Sequence, residues 1–328
     1  MTLRNGILFG ATLLSGFVFG WYASPIMGAA SIVSVQAVRV NDPDYTFISP
    51  LVGLNTPSIS TFSDLNNVKN DVQKVIDKEE AMGLVQDVGV NFRLPDNSHT
   101  FGINDDDTFD PGSLIKVPIM IAYLREAQSD PSVLSKKLYY QAQPTEGVPN
   151  PLEPQLTLNK YYTVDELIKA MIVDSDNVAK DLLISSVDET YLDDVFNEMD
   201  MGYLKSTTGT ISPRGYVKFF SRLYSATFLD RNYSNYALKL LSETTFHDGL
   251  VAGLPDSLVV AHKYGERGIY EDDKLAGIEL HDCGIVYVPN KPYYLCVMTK
   301  GSDDTAVTRT IKEISATVYA DRESFGNK

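Results

Sequence analysis

The sequence predicts an α+β fold, with one antiparallel sheet assembled from both chain ends and a helical middle forming a second lobe. Period-two apolar alternation appears first in LVQDVGVNFRL (84–94) and SHTFGIN (98–104). Strand-like runs return late in the chain in SLVVAHKYGE (257–266), ELHDCGIVYV (279–288) and PYYLCVMTKG (292–301). Between these runs the apolar spacing is helical. Two strands alone make a marginal sheet, so pairing the early pair with the late three gives a mixed antiparallel five-stranded sheet with helices on both faces. A site is then expected in the crevice between sheet and lobe.

The chain opens differently. No charged side chain occurs between Arg4 and Arg39, and the heart of this stretch is ILFGATLLSGFVFGWYASPI (7–26). A short positive end followed by an apolar run is the pattern of export. The run is also long enough to span a bilayer as a helix. Small residues at Gly28, Ala29 and Ala30, or at Ala37, suit a signal peptidase, so cleaved leader and uncleaved anchor both stay open. The anchor is favoured, because Trp21 and Tyr22 would sit at the outer interface and the run exceeds a signal core. Residues 1–38 are therefore read as a single-pass anchor in the cell membrane. Residues 39–62, rich in Pro, Ser, Thr and Asn, read as a tether, and 63–328 as one extracytoplasmic domain.

Within that domain Ser63 opens a helix with Leu65, Val68, Val72, Val75 and Ile76 at helical spacing and Gly83 as its stop. The first two strands follow, separated by Pro95-Asp96-Asn97. The clearest helices of the middle cover 113–127, 163–175, 177–187, 189–199 and 213–224. After the late strands, DDTAVTRTIKEISATVYADRES (303–324) closes the chain as an amphipathic helix.

With 28 basic and 43 acidic residues in 328, the formal net charge is −15, and such a surface repels nucleic-acid phosphates. No nucleic-acid partner is expected, and the domain reads as a monomer. Cys283 and Cys296 flank a hairpin with Pro289-Asn290 near its turn. Symmetric closure about that dipeptide sets them face to face, where an oxidising compartment permits a disulfide. One shift of register leaves two small buried hydrophobes instead. The four histidines, His99, His247, His262 and His281, show no H-E-x-x-H spacing, so neither metal nor cofactor is expected. His281-Asp282 reads as a satisfied structural pair, since no serine sits in a G-x-S-x-G elbow. His262 is expected on the strand face opposite Lys263. FHDGLVAGLP (246–255) reads as a structural loop, and Tyr139, Tyr140, Tyr161 and Tyr162 as ordinary packing.

Three short polar signatures stand in order at element boundaries. S-L-I-K (113–116) is the only serine–x–x–lysine in the chain; S-D-N (175–177) ends one helix and opens another; H-K-Y-G (262–265) ends an apolar strand. A serine hydroxyl becomes a nucleophile only when a base takes its proton, and lysine serves only when neutral. Positions i and i+3 share a helix face, which puts Lys116 beside Ser113. Lys263 would supply a second cation that lowers the Lys116 pKa, and Ser175 would relay a proton towards a leaving nitrogen. Backbone N–H groups at the start of the Ser113 helix and at Glu266 would bind an oxyanion.

These motifs resemble the serine β-lactamases of class A and the penicillin-binding D-alanyl-D-alanine peptidases, over about residues 62 to 325. The resemblance implies the β-lactamase/transpeptidase-like fold. It implies Ser113 as acylated nucleophile, Lys116 as its base, Ser175 as proton shuttle, and Asn177 orienting Lys116 and the substrate amide. Lys263, in K-Y-G with Tyr264 and Gly265, would hold a substrate carboxylate. The implied function is a class A β-lactamase-like serine hydrolase acting through an acyl-enzyme on a β-lactam or related amide. The alternatives are a D-Ala-D-Ala carboxypeptidase or transpeptidase acting on peptidoglycan, and a catalytically silent surface module of the same fold. Two departures stand out. Tyr264 replaces the threonine of K-T-G, and no E-x-x-L-N occurs between Val178 and Pro213 to supply the glutamate that activates deacylating water. Glu189 and Glu198, on helical stretches, are expected to face solvent.

Overall fold

The computed structural model describes residues 37–40, 42–54, 65–95, 99–141, 156–198 and 209–322. Two short strands come first, β1 (Ala37–Arg39) and β2 (Leu51–Leu54), paired antiparallel. Helix α1 (Asn66–Ala81) buries Val68, Val72 and Ile76 along one face, and Gly83 at φ +75° turns the chain into the sheet. β3 (Val85–Arg93) and β4 (Thr100–Ile103) make a hairpin.

The middle carries α2 (Lys116–Ser129), a two-stranded ribbon of β5 (Lys137–Tyr140) and β6 (Lys160–Thr163), α3 (Val164–Val173), α4 (Asn177–Ile184), α5 (Glu189–Glu198), α6 (Pro213–Tyr224) and α7 (Arg231–Ser242). Local sequence sets several of these starts. Thr163 and Glu166 form a capping box on α3, Asp176 caps α4, and Ser212 with Pro213 behind it opens α6. The chain closes with β7 (Val260–Glu271), β8 (Lys274–Val286), β9 (Tyr293–Gly301) and α8 (Asp304–Ala320).

The central sheet has the order β4-β3-β9-β8-β7, and every neighbouring pair is antiparallel. Both chain ends supply it, as the alternation predicts. β9 lies at its centre and shows why the run YYLCVM is apolar throughout. Tyr293, Leu295 and Val297 face the core under α1 and α8, while Tyr294, Cys296 and Met298 face the core shared with the helical lobe. A strand buried on both faces needs no polar alternation. The two ends are also tied at α1 and α8, where Arg309 donates to the buried Glu79 carboxylate (2.6 Å) and Lys78 to Glu313 (2.8 Å).

The β8–β9 hairpin closes symmetrically about Pro289-Asn290, which pairs Cys283 with Cys296, and the two form a disulfide. Several features escape the sequence pattern, among them the β1–β2 pair and the β5–β6 ribbon. Helix α7 is not marked by it, and β7 and β8 run on past their apolar segments to a tight turn at Asp272-Asp273, both at positive φ.

The stretch expected as a tether is docked over its early part. Ser49 N–H donates to Tyr224 O (2.8 Å), Phe47 N–H to Asn235 Oδ1 (3.0 Å), and the Tyr45 and Tyr287 hydroxyls to Asn232 Oδ1 and Phe47 O (each 2.9 Å). Ile48 is buried, so apolar area and satisfied backbone together hold an extended segment that propensity alone leaves unassigned. Residues 55–64 and the apolar run 7–26 lie outside the described residues. Among the described residues no helix is long and apolar enough to cross a membrane.

The disulfide joins residues 13 apart in sequence. Closing a loop of that size is worth about 3 kcal/mol. The double variant Cys283→Ala/Cys296→Ala is expected to show that loss as a lower urea midpoint at unchanged m; an unmoved midpoint would show that the surrounding core alone fixes the hairpin.

Candidate active site

The first motif begins in a turn whose shape is set by three residues. Asp110 Oδ1 accepts from Gly112 N–H (2.9 Å), Pro111 O accepts from Leu114 N–H (2.9 Å), and Gly112 sits at φ +48°. A Cβ at Gly112 would come within 2.6 Å of Glu266 O, so only glycine lets this turn lie against β7. The turn winds into a 3-10 segment, Gly112–Ile115, continuous with α2. In 3-10 geometry side chains at i and i+3 eclipse, which stacks Ser113 over Lys116 on one face. Ser113 is half-buried and Lys116 fully buried.

The second motif connects α3 to α4. Ser175 takes the left-handed conformation, at φ +57°, which costs a non-glycine residue energy and turns its carbonyl and hydroxyl towards α2. Asp176 then caps α4 through Ala179 N–H (2.7 Å). Lys116 Nζ donates to Ser175 O, to Ser175 Oγ (3.1 Å) and to Asn177 Oδ1 (2.8 Å).

The third motif closes the cluster from the sheet edge. Lys263 Nζ donates to Ser175 Oγ (2.9 Å) and to Tyr264 O (3.0 Å). One hydroxyl is therefore shared by two buried amines. Burial, and next the charge of Lys116, push the Lys263 pKa well below its ordinary value; Asp282 offsets this in part. Gly265 is as constrained as Gly112, since a Cβ there would lie 2.5 Å from Pro111 O. Glu266 presents its backbone to the Ser113 turn and its side chain to solvent. The Tyr264 ring stacks on Phe246, with centroids 4.1 Å apart, and the Lys263 amine lies 4.1 Å from the Tyr264 centroid.

The structure thus joins Lys116, Ser175, Asn177 and Lys263 in one hydrogen-bonded cluster. It sets Ser113 one turn before Lys116 and packs Gly265 and Glu266 against that turn. One expectation needs correction. His281 and Asp282 do not pair with each other, because neighbours on a strand face opposite sides. Asp282 accepts from Leu250 N–H (2.9 Å) and bonds His262 Nδ1 (2.8 Å), on the face opposite Lys263. His281 donates through Nε2 to Asp110 O (2.8 Å), and burial brings its pKa down to about 4, so the ring is neutral at neutral pH. The 246–255 loop is not remote from the third motif, since Phe246 stacks on Tyr264. Glu189 and Glu198 are exposed, and Glu198 is held by Arg125 (2.5 Å). Tyr139 and Tyr161 pack on each other at the surface.

With this geometry in view, the comparisons with known proteins are specific. The pattern of the β-lactamase enzyme family matches residues 67–321. The chain belongs to that family. It is 26% identical over 231 residues to a β-lactamase of Streptomyces albus G, covering 64% of this chain and 71% of that protein. It is 23% identical over 241 residues to β-lactamase VEB-1 of Pseudomonas aeruginosa, covering 67% and 79%. Among solved structures, PBP-A matches with a TM-score of 0.64 at 24% identity, covering 77% of this chain and 96% of that one. TLA-3 extended-spectrum β-lactamase matches with 0.67 at 22% identity, covering 78% and 98%. The fold is that of the β-lactamases and PBP-A, and the chain is a hydrolase of β-lactamase type.

Lys263 carries a test of the electrostatics. Its pKa is depressed in the folded chain, so between the folded and unfolded values the unfolded chain binds the extra proton and stability rises with pH. On the acid side of the ordinary lysine value the unfolding free energy should climb with pH more steeply in wild type than in Lys263→Met, by up to about 1.4 kcal/mol per pH unit. Urea melts at several pH values measure this, and parallel curves would contradict it.

Proposed function

We propose that this β-lactamase-family hydrolase acts through an acyl-enzyme, with Ser113 attacking the carbonyl of a β-lactam or related amide. The observation that carries the reading is the sharing of Ser175 Oγ between Lys116 and Lys263, both fully buried. Two ammonium groups this close repel, so the pair holds its protons jointly, and a nearby anion decides where they sit. A substrate carboxylate beside Lys263 favours the ammonium there. The proton passes through Ser175, which accepts from Lys116 as it gives its own to Lys263. Lys116 is then neutral. Rotation about its Cε–Nζ bond turns the freed lone pair from Ser175 Oγ to the Ser113 hydroxyl, whose proton it takes. The Ser113 and Glu266 N–H groups receive the developing oxyanion, Asn177 orients the substrate amide, and Ser175 returns a proton to the leaving nitrogen.

Hydrolysis of the acyl-enzyme needs a base for water. The chain lacks E-x-x-L-N, and Glu189 and Glu198 lie exposed, the latter on Arg125. This favours, as a second reading, a slowly deacylating enzyme of the penicillin-binding, D-Ala-D-Ala-directed kind. A mutant of PBP-A, matched with a TM-score of 0.64 at 24% identity, is described as an acyl-enzyme complex with penicillin G. The charge-free run 7–26 supports a membrane anchor with the domain outside the cytoplasm; retention in the membrane pellet after alkaline carbonate extraction would bear this out.

Incubating the full chain with a fluorescent penicillin should give covalent label on a denaturing gel, lost in Ser113→Ala. Turnover of a chromogenic cephalosporin marks the lactamase, and stable label without turnover marks the penicillin-binding reading. No label on wild type sinks both. Tyr264 offers a sharper test, since its ring stands where the family motif has a small hydroxyl. Tyr264→Thr should raise the second-order acylation rate for benzylpenicillin about fivefold, the worth of one added hydrogen bond to the carboxylate. An unchanged rate would mean that the tyrosine already serves the carboxylate.

A further inference from the structure

We propose that Glu279 and His281 of β8 are positioning residues for the nucleophile, holding the main chain of Asp110 so that the turn carrying Ser113 keeps a fixed height above the sheet. The inference rests on the reading of Ser113 given above. Glu279 Oε2 accepts from Asp110 N–H (2.7 Å), and His281 Nε2 donates to Asp110 O (2.8 Å). One residue, three before the nucleophile, is therefore gripped by both its main-chain donor and its main-chain acceptor. The two gripping side chains are 3.8 Å apart, on the same face of β8, with His281 fully buried and Glu279 13% exposed.

The neighbouring strand is built to allow this grip. Gly265 stands opposite His281 in the β7–β8 register, and its missing side chain lets Pro111 O reach the strand. Phe109 meets the His281 ring edge-on (5.4 Å) and bridges to Ile211, which pins the strand entering the turn. Asp110 in turn caps Gly112 N–H, and Arg267 Nε lies 3.7 Å from its other oxygen. Force applied to the turn thus passes to β8 through two hydrogen bonds to one residue.

The arrangement also explains why a buried histidine is present. The His281 ring is fully buried, a desolvation cost that packing alone would avoid with an apolar side chain. Nε2–H is the group in use. A displacement near 1 Å of a nucleophile can cost about a hundredfold in rate, so a residue that fixes the turn acts on the chemical step.

The test uses the full chain with His281→Leu, which removes the donor, and His281→Gln, which offers an amide N–H in its place. Hydrogen exchange over the 109–116 peptide and stopped-flow acylation by benzylpenicillin are read together. In His281→Leu exchange at that peptide should quicken about tenfold while β9 peptides stay unchanged, and the acylation rate constant should fall at least about tenfold with the pre-acylation dissociation constant within about twofold. His281→Gln should recover both to within about threefold. Unaltered exchange and acylation in His281→Leu, or equal losses in binding and acylation, would overturn the proposal, as would a folded His281→Gln that behaves like His281→Leu. If His281→Leu fails to fold, Glu279→Ala against Glu279→Gln decides by the same measures. Failure of wild type to react with penicillin would count against the acyl-enzyme reading alone, because the exchange arm still tests the grip without any substrate.

Discussion

Two amines taken out of water and joined through one hydroxyl are the constraint around which the rest of this structure is arranged. Burial strips both amines of hydration, and protons on both would repel, so the pair persists only because the surrounding fold is rigid enough to hold it. Ser175 Oγ, Ser175 O, Asn177 Oδ1 and Tyr264 O supply the acceptors. They come from a strained connection between α3 and α4 and from the edge strand of the sheet. Neither piece is stable alone: the connection needs the capped start of α4 to hold φ +57° at Ser175, and β7 needs β8 to be a strand at all. The energy that sustains the lysine pair is therefore spread over the lobe and the sheet together, which makes the crevice between them the natural place for a perturbed pair.

Within the sheet, β8 is the element on which both walls of the site stand. Its face towards the helical lobe presents Glu279, His281 and Cys283 in succession. The first two hold the turn before Ser113, and the third lies opposite Lys263 in register and is bonded to Cys296 on β9. The Ser113 turn and the Lys263 anchor are thus referenced to one strand, itself cross-linked to the centre of the sheet. The opposite face of β8 does unrelated work. Asp282 ties His262 and the Leu250 backbone, and its charge reaches Lys263 only as a modest offset to burial.

What was legible in the sequence follows from what leaves a pattern. The sheet was readable because its two-faced burial writes itself into β9 as an unbroken apolar run and into β3 as alternation. The meeting of the three motifs was readable because serine, lysine and asparagine at helix boundaries have few structural uses in that order. The Cys283–Cys296 pairing followed from a symmetric hairpin. Other features leave no such trace. Helix α7 is rich in Asn, Tyr and Ser, which mask its apolar stripe of Ala237, Leu238 and Leu241, and the outer half of the β7–β8 hairpin is exposed and polar. The docking of 42–54 depends on backbone hydrogen bonds with distant partners such as Tyr224 O. Glu279 and His281 act on a main chain, so no spacing of side chains announces them.

The two halves of an acyl-enzyme reaction make unequal demands on such a fold. Acylation needs the nucleophile, the shared protons and the oxyanion donors, all of which sit where the lobe meets the sheet and cannot be moved without disturbing both. Deacylation needs one further thing, a base beside a water on the open side of the ester, and a single side chain on a peripheral segment can supply it. In this chain α5, the described helix after the S-D-N segment, points Glu198 outward to Arg125, and the family's glutamate motif is missing. If the proposed mechanism holds, the part of the site fixed by folding is the part that forms the ester, and the part that would break it is one a sequence can lose at little cost to stability. Under the proposed mechanism, the lifetime of the acyl-enzyme, more than its formation, is the quantity left free to vary in a protein built this way.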